Sequence, residues 1–125
     1  MPEMGGSSTG GSLTQRFRDE IARAASDDDF FANMAQAAQS RPSGANGLIV
    51  LPYFSGERTP INDPHARGVC FGLTLAHTQA DLYRAILEGI SHAVRHNLDA
   101  FAETAPANRA FAVGAVCTTH AGYEP

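Results

Sequence analysis

Residues 51–74 read LPYFSGERTPINDPHARGVCFGLT, and this stretch sets a polar loop between two short apolar runs. The runs, at residues 48–54 and 69–73, are too short for helices and predict two short strands, the first of them buried. Pro60 and Pro64 restrict the backbone of the loop between them. Side chains able to brace it by pairing are Glu57, Arg58, Asp63 and Arg67. We interpret residues 55–67 as a rigid connection between strands, with a ligand contact as the alternative.

A long amphipathic helix is predicted downstream of this stretch, over residues 79–103, with Thr78 as its N-cap. Its predicted buried face consists of Leu82, Ile86, Ile90, Ala93, Leu98 and Phe101. Its predicted polar face carries Arg84, Glu88, Arg95 and Asp99. Such a helix is about 35 Å long, which is enough to pack across a whole domain face.

Two shorter helices are predicted upstream. Ser12 and Gln15 have the spacing of a capping box, which predicts a helix over residues 13–25. A second helix follows the acidic run at residues 27–29 and ends near Ser40. Residues 1–11 are rich in glycine and serine and are predicted to be flexible, and residues 110–113 predict a final strand. The order strand, strand, long helix, strand favours α/β or α+β layering.

The composition of the 125-residue chain excludes several classes of function. A net charge of −4 argues against a nucleic-acid partner. All nine basic residues are arginine, which excludes a phosphate-loop lysine or a Schiff-base lysine within the chain. Cys70 lies in an apolar run and is predicted to be buried, and two cysteines are too few for a disulfide framework. No long apolar window is present, so we expect a cytoplasmic protein without a membrane partner.

Three motifs that suggest ligand chemistry are incomplete. The stretch GGSSTGGS near the N-terminus lacks a lysine and a preceding strand, which favours a flexible or helix-capping segment over a phosphate loop. His92 and His96 have the i, i+4 spacing of metal ligands, but alanine stands at 93, where a zinc-protease helix needs glutamate. Cys117 and His120 form a single pair without a second one. We therefore predict no metal ligand.

Three segments together resemble a known family. GSLTQRFRDE, the quoted stretch 51–74 and HTQADLYRAILEGISHAVRHNLDAF are similar, in order and spacing, to the FGGY carbohydrate kinases, and most of all to their xylulokinase-like branch. The resemblance covers about residues 10–114 and is most specific over residues 48–90. It implies an α/β fold: a partial ribonuclease-H-like (actin-like ATPase) domain with an incomplete sheet and one long packing helix.

The resemblance also implies where this chain would lie in a kinase of that family. Such kinases bind Mg–ATP and a sugar between two domains and transfer the γ-phosphoryl group to a sugar hydroxyl. Residues 12–114 would form part of the C-terminal domain, and residues 115–125 would be a tail outside the family. Gly114 matches the first glycine of a loop that approaches the nucleotide, but Ala115 and Val116 replace the next two. At Arg16 the family often has an aromatic residue, which implies some lost packing.

The same resemblance implies no catalytic residue and no metal ligand in this chain, because the family's phosphate-binding segment and aspartate base lie in regions without a match here. We therefore interpret the chain as a fragment of an ATP-dependent sugar kinase, with a xylulose-like substrate, that is inactive and binds ATP and Mg weakly by itself. The alternative is a non-enzymatic module that pairs with a separately encoded kinase half, which would supply the missing N-terminal domain, or that self-associates. A third possibility is the product of a decayed gene.

Overall fold

The fold consists of three helices and a two-stranded sheet in the part of the chain that the structure, a computed structural model, describes: residues 10–23 and 29–103. The helices are α1 (Gly10–Arg16), which continues as a π-helical turn (Phe17–Ile21), α2 (Phe30–Gln39) and α3 (Gln79–Ala102). A 3₁₀ turn (Ala45–Gly47) precedes strand β1 (Ile49–Leu51), and β2 is Val69–Phe71. The predicted α/β class with an incomplete sheet and a long helix is confirmed.

The first helix differs from its prediction at its start. It begins at Gly10, so Ser12 lies inside the first turn, where its side chain is not at the capping position. The hydroxyl of Thr14 instead donates to the carbonyl of Gly11 at 2.8 Å. The widened turn after Arg16 buries the side chain of Phe17 completely. The predicted end of this helix near residue 25 lies outside the described residues.

The long helix begins where the sequence predicts. The backbone N–H of Asp81 donates to the Thr78 hydroxyl, and a carboxylate oxygen of Asp81 accepts from the Thr78 N–H at 2.8 Å. This is a capping box, so the predicted N-cap is confirmed. Of the predicted buried face, Ile86, Ile90 and Ala93 are buried, but Leu98 is 38% exposed.

Residues on more than one face of α3 are buried in the core. Tyr83 and Leu87 are buried as well, because α1, α2 and β1 all contact this helix. The rings of Phe17 and Tyr83 lie 5.2 Å apart between centroids, and Phe30 packs against Phe17 at 6.4 Å. The buried apolar residues are Leu13, Phe17, Phe30, Ala38, Ala45, Leu48, Val50, Tyr83, Ala85, Ile86, Leu87, Ile90 and Ala93. Three elements thus enclose the N-terminal half of α3 on several sides.

The strands are shorter and more exposed than predicted. β1 and β2 pair antiparallel, with Val50 opposite Cys70, and within the three residues of each strand only Val50 is buried. The prediction of a buried first strand is therefore wrong for Ile49 and Leu51, and so is the prediction of a buried Cys70. The reason is that α3 packs against β1: it covers the inner face at Val50 but leaves Cys70, opposite Val50 on the same face, exposed, and nothing among the described residues buries the outer face. The predicted strand at residues 110–113 lies outside the described residues.

A close approach between helix and sheet fixes the covered face. A Cβ atom added at Gly89 would lie 2.5 Å from the carbonyl oxygen of Val50. Only glycine therefore lets α3 pack this close to the backbone of β1. In the described part of the chain, no helix has the length and apolar character that a membrane crossing requires.

Candidate functional site

The loop between the strands is held by its own backbone. The N–H of Glu57 donates to the carbonyl of Asp63, and the N–H of Asp63 donates to that of Glu57, both at 2.9 Å. Gly56 has φ +78°, and a Cβ there would lie 2.8 Å from the backbone of Pro64. The loop is thus a tight hairpin whose neck is closed at Gly56, which explains why glycine stands there.

Side chains brace this loop by bonds to backbone groups. Asp63 Oδ1 accepts from the N–H of His65 at 2.8 Å, and Nη1 of Arg67 donates to the carbonyls of Pro64 and Ala66. No ion pair joins Glu57, Arg58, Asp63 or Arg67 within the described residues. The prediction of a rigid loop agrees with this geometry, but the predicted bracing by ion pairs is wrong, because each charge has a nearer backbone partner or lies in solvent.

Glu57 is the unusual residue of the loop, because its side chain is buried. Its Oε1 accepts from the N–H of Arg58 at 2.8 Å. Its Oε2 is buried and has no hydrogen-bond partner among the described residues. Arg58 beside it is exposed. A buried carboxylate oxygen without a donor is costly, so we expect a further donor near it when the loop is in its functional surroundings.

A cavity of about 350 Å³ lies between α1 and the start of this loop. Its lining residues are Ser12, Leu13, Arg16, Phe54 and Ser55. In the described chain, the guanidinium of Arg16 forms no ion pair, so its donors are available. Two hydroxyls, one cation and two apolar side chains can bind a small polar or anionic group. None of these five side chains is a carboxylate or an imidazole, so the lining holds no general base.

A second polar cluster connects the start of α3 to the 3₁₀ turn that precedes β1. Asp81 is 1% exposed, and its carboxylate accepts from the Thr78 N–H and from Nδ2 of Asn46 at 2.8 Å, with Nε of Arg41 at 3.8 Å. The hydrogen bond from the Thr78 backbone, with help from Asn46 and Arg41, lowers the pKa of Asp81 below its ordinary value. His77 completes the cluster, with Nε2 bonded to the carbonyl of Asn46 at 2.9 Å.

Glu88, about two helical turns after Asp81, binds the backbone just before the same 3₁₀ turn. Both of its carboxylate oxygens accept from the N–H of Gly44, at 3.1 and 3.2 Å, and Nε of Arg84 donates to one of them at 2.7 Å. Nη2 of Arg84 also reaches the hydroxyl of Ser43 at 3.2 Å. Arg84 and Glu88 belong to the predicted polar face, but that face is covered here, because both side chains are mostly buried. Helical spacing shows a polar stripe but cannot show that a turn packs on it.

Of the two candidate metal motifs, only the histidine pair lies among the described residues. His92 and His96 are both exposed on α3. Among residues 10–23 and 29–103, no three His, Cys, Asp or Glu side chains are grouped as a metal ion would need. Gly114, the pair Cys117 and His120, and the glycines before residue 10 lie outside the described residues. The predicted nucleotide contact at Gly114 stays a prediction.

Comparisons with known proteins agree on one family. The model of the FGGY family of carbohydrate kinases, C-terminal domain, matches residues 1–122. The xylulose kinase of Klebsiella pneumoniae is 51% identical over 63 residues, covering 50% of this chain and 13% of the relative. The glycerol kinase of Pseudomonas fluorescens is 40% identical over 93 residues, covering 73% of this chain and 17% of the relative.

A solved structure supports the same assignment. The xylulose kinase of Rhodospirillum rubrum has a TM-score of 0.70 and 35% identity, over 81% of this chain and 20% of that one. The described fold is therefore a small α/β part of the actin-like ATPase fold of sugar kinases. The chain belongs to the FGGY family of carbohydrate kinases. It spans only 13% to 20% of the length of these three proteins.

Proposed function

We propose that this chain forms part of the C-terminal domain of an ATP-dependent kinase that phosphorylates a xylulose-like sugar, and that it does not transfer phosphate by itself. The observation that carries the proposal is the match of residues 1–122 to the C-terminal domain family, together with 51% identity to a xylulose kinase. In this proposal residues 12–114 form the domain part, Gly114 approaches the nucleotide, and residues 115–125 form a tail, although the family model extends into it as far as residue 122.

The chemistry of the described residues supports the second half of the proposal. Phosphoryl transfer depends on positioning and on electrostatic stabilisation around Mg–ATP, which supplies the phosphoryl group. The cavity beside the loop offers hydroxyls and the guanidinium of Arg16, which bind and orient, but no group that accepts a proton from a sugar hydroxyl. Oε1 of the buried Glu57 accepts a hydrogen bond from the N–H of Arg58 and so supports the loop.

An assay of ADP release with the purified chain tests the proposal. We expect no ADP release that depends on D-xylulose, glycerol or gluconate above a reaction without sugar. Ile86→Asp, prepared in parallel, controls for a contaminating kinase, because it disrupts the core of this chain only. Sugar-dependent turnover that the wild type shows and the variant lacks would contradict the proposal.

A chimera tests whether the segment supports kinase architecture. Residues 10–103 replace the aligned segment of the Rhodospirillum rubrum xylulose kinase, and D-xylulose-dependent ADP release is measured. We expect the chimera to keep activity within about one order of magnitude, since the described fold matches that structure at a TM-score of 0.70. A chimera that melts cooperatively like its parent but is inactive would show that this segment no longer serves a kinase.

The second candidate function is a non-enzymatic module that pairs with another polypeptide. One observation favours it: the strand face turned away from α3 is apolar and exposed. Binding of ATP, measured by calorimetry, distinguishes the two candidates. A folded chain that associates with protein but binds no nucleotide fits the module, whereas weak but measurable nucleotide binding fits a kinase part. Cytoplasmic localisation stays a prediction.

A further inference from the structure

An asparagine–glycine pair, Asn46 and Gly47, ends the 3₁₀ turn that precedes β1. The chain has five asparagines, and only Asn46 is followed by glycine. Asparagine is a chemically labile residue, and glycine has no side chain to hinder its own backbone nitrogen from attacking the side chain before it. Asn46 is exposed in the described fold. The pair therefore has the composition and the access to water that deamidation requires.

The reaction of this pair is balanced with water as its only co-reactant. The backbone nitrogen of Gly47 forms a bond to Cγ of Asn46, the bond from Cγ to Nδ2 breaks, and ammonia leaves with the proton of the Gly47 N–H. The product is a succinimide ring. Water then opens the ring on one side of its nitrogen or the other, which leaves aspartate or isoaspartate at position 46. A neutral amide is thus replaced by a carboxylate, and nothing is oxidised or reduced.

In the fold, both reacting groups are held by other bonds. The N–H of Gly47 donates to the carbonyl of Gly44 at 2.9 Å, and Nδ2 of Asn46 donates to Oδ1 of Asp81 at 2.8 Å. The carbonyl of Asn46 also lies 2.9 Å from Nε2 of His77. These contacts keep the attacking nitrogen and the side-chain amide in place as long as the start of α3 stays packed on the turn. Reaction in the folded chain therefore requires that this contact opens locally.

We propose that Asn46 is a deamidation site controlled by the contact between α3 and the turn, and that the product prevents this contact from closing again. Deamidation replaces the donor at Nδ2 by a carboxylate that faces Asp81, which is 1% exposed. Two carboxylates at this distance repel each other, and burial strengthens the repulsion. Nε of Arg41, 3.8 Å from Asp81 Oδ1, supplies a single positive charge for both. This inference does not depend on the kinase proposal.

Peptide mapping by mass spectrometry tests the protection of Asn46 in the full chain, incubated at mildly alkaline pH in buffer or in denaturing urea. We expect Asn46 to deamidate at least about ten-fold more slowly in buffer, because the folded chain reacts only through local opening. Asn62 is the matched control within the same chain. Its φ of 50° is close to the 54° of Asn46, but Asp63 follows it, so in urea it should react far more slowly than Asn46.

Two variants test the role of the contact. Asp81→Ala removes the partner of Asn46 and should raise the rate at Asn46 in buffer toward the rate in urea. Asp99→Ala, on the exposed side of α3, should leave that rate unchanged. Circular dichroism melting verifies that both variants are folded during the incubation.

An exchange of side chains tests the repulsion, and it does not depend on whether Asp81→Ala folds. Asn46→Asp reproduces one product and should lower the urea midpoint. Adding Asp81→Asn sets an amide opposite the new carboxylate and restores the hydrogen bond with donor and acceptor exchanged, so most of the loss should be recovered. Adding Asp99→Asn instead is the control, because it removes the same charge far from position 46 and should recover nothing.

Three outcomes would overturn the inference. Equal rates at Asn46 in buffer and in urea would show that the fold gives no protection. An unchanged rate in folded Asp81→Ala would show that another contact controls the site. An Asn46→Asp variant as stable as wild type, or one that both additions rescue equally, would show that the product does not repel Asp81. Slow reaction in buffer, together with rescue by Asp81→Asn and not by Asp99→Asn, supports the inference.

Discussion

Strand β1 is apolar on both of its faces, but the two faces have opposite surroundings. On the inner face, Val50 is 3% exposed and its carbonyl lies against Gly89. On the outer face, its chain neighbours Ile49 and Leu51 are 56% and 42% exposed. Hydrophobicity therefore determines which side chains a strand is able to bury, whereas burial itself depends on whether another layer covers them.

The largest expected effect comes from a charge in the core beneath the inner face. Ile86 is 2% exposed, so Ile86→Asp would put a carboxylate into apolar surroundings and lower the free energy of unfolding by about 4 kcal/mol. Arg95→Ala is the control, because Arg95 is exposed in an i, i+4 pair with Asp99, and we expect no measurable loss. Urea denaturation measures both. Equal losses would mean that the assigned faces of α3 are wrong.

The next effect comes from the contact between α3 and β1. Gly89→Ala would force the helix away from the Val50 carbonyl, and we expect a loss of about 3 kcal/mol. The matched control is Gly44→Ala, since no atom lies within 4 Å of a Cβ there and only its φ of +88° resists alanine. That strain should cost about 1 kcal/mol. If both variants lose the same amount, the close approach does not limit the packing.

A pair of truncations compares the two faces directly. Val50→Ala removes buried methyl groups and should lower the free energy of unfolding by about 2 kcal/mol. Ile49→Ala removes a larger group from the exposed face and should change it by less than about 0.5 kcal/mol in dilute, monomeric protein. Thermal and urea unfolding at about 1 µM give both values. A large loss for Ile49→Ala would indicate that the outer face is covered in the monomer.

The smallest effect is a pH dependence at the start of α3. The folded-state pKa of Asp81 is lowered, chiefly by the hydrogen bond from the Thr78 backbone. Its ionised form therefore stabilises the fold above the ordinary aspartate pKa of about 3.9, and this contribution disappears as the pH falls through the lower folded-state pKa. Asp81→Asn should be less stable than wild type at about pH 7, and the gap should narrow toward about pH 3. A gap that stays constant with pH would contradict this assignment.

Much of the fold follows from local patterns in the sequence. Thr78 and Asp81 encode the start of α3 through atoms three residues apart, and Ile86, Ile90 and Ala93 are buried as their helical spacing predicts. The turn residues around Gly56 and Pro64 likewise indicate a rigid loop. The family assignment also comes from the sequence, because the segments over residues 48–90 keep their order and spacing.

The candidate site could not be predicted from local sequence patterns. The cavity joins Ser12 and Arg16 of the first helix to Phe54 and Ser55 of the loop, and these residues are about 40 positions apart in the chain. No spacing of residues along the sequence predicts this contact between the first helix and the loop. The burial of Glu57, whose polar side chain favours the surface on composition alone, also depends on how the hairpin closes.

The sequence by itself determined the family, the α/β class and the beginning of the long helix, since each rests on residues close together in the chain. Only the tertiary structure decided that Arg84 and Glu88 hold the turn at Gly44, and that Cys70 and the outer face are exposed. The physical reason is that burial belongs to pairs of surfaces. A strand of three apolar residues carries the same pattern whether or not a second layer covers it, and the layer comes from elsewhere in space.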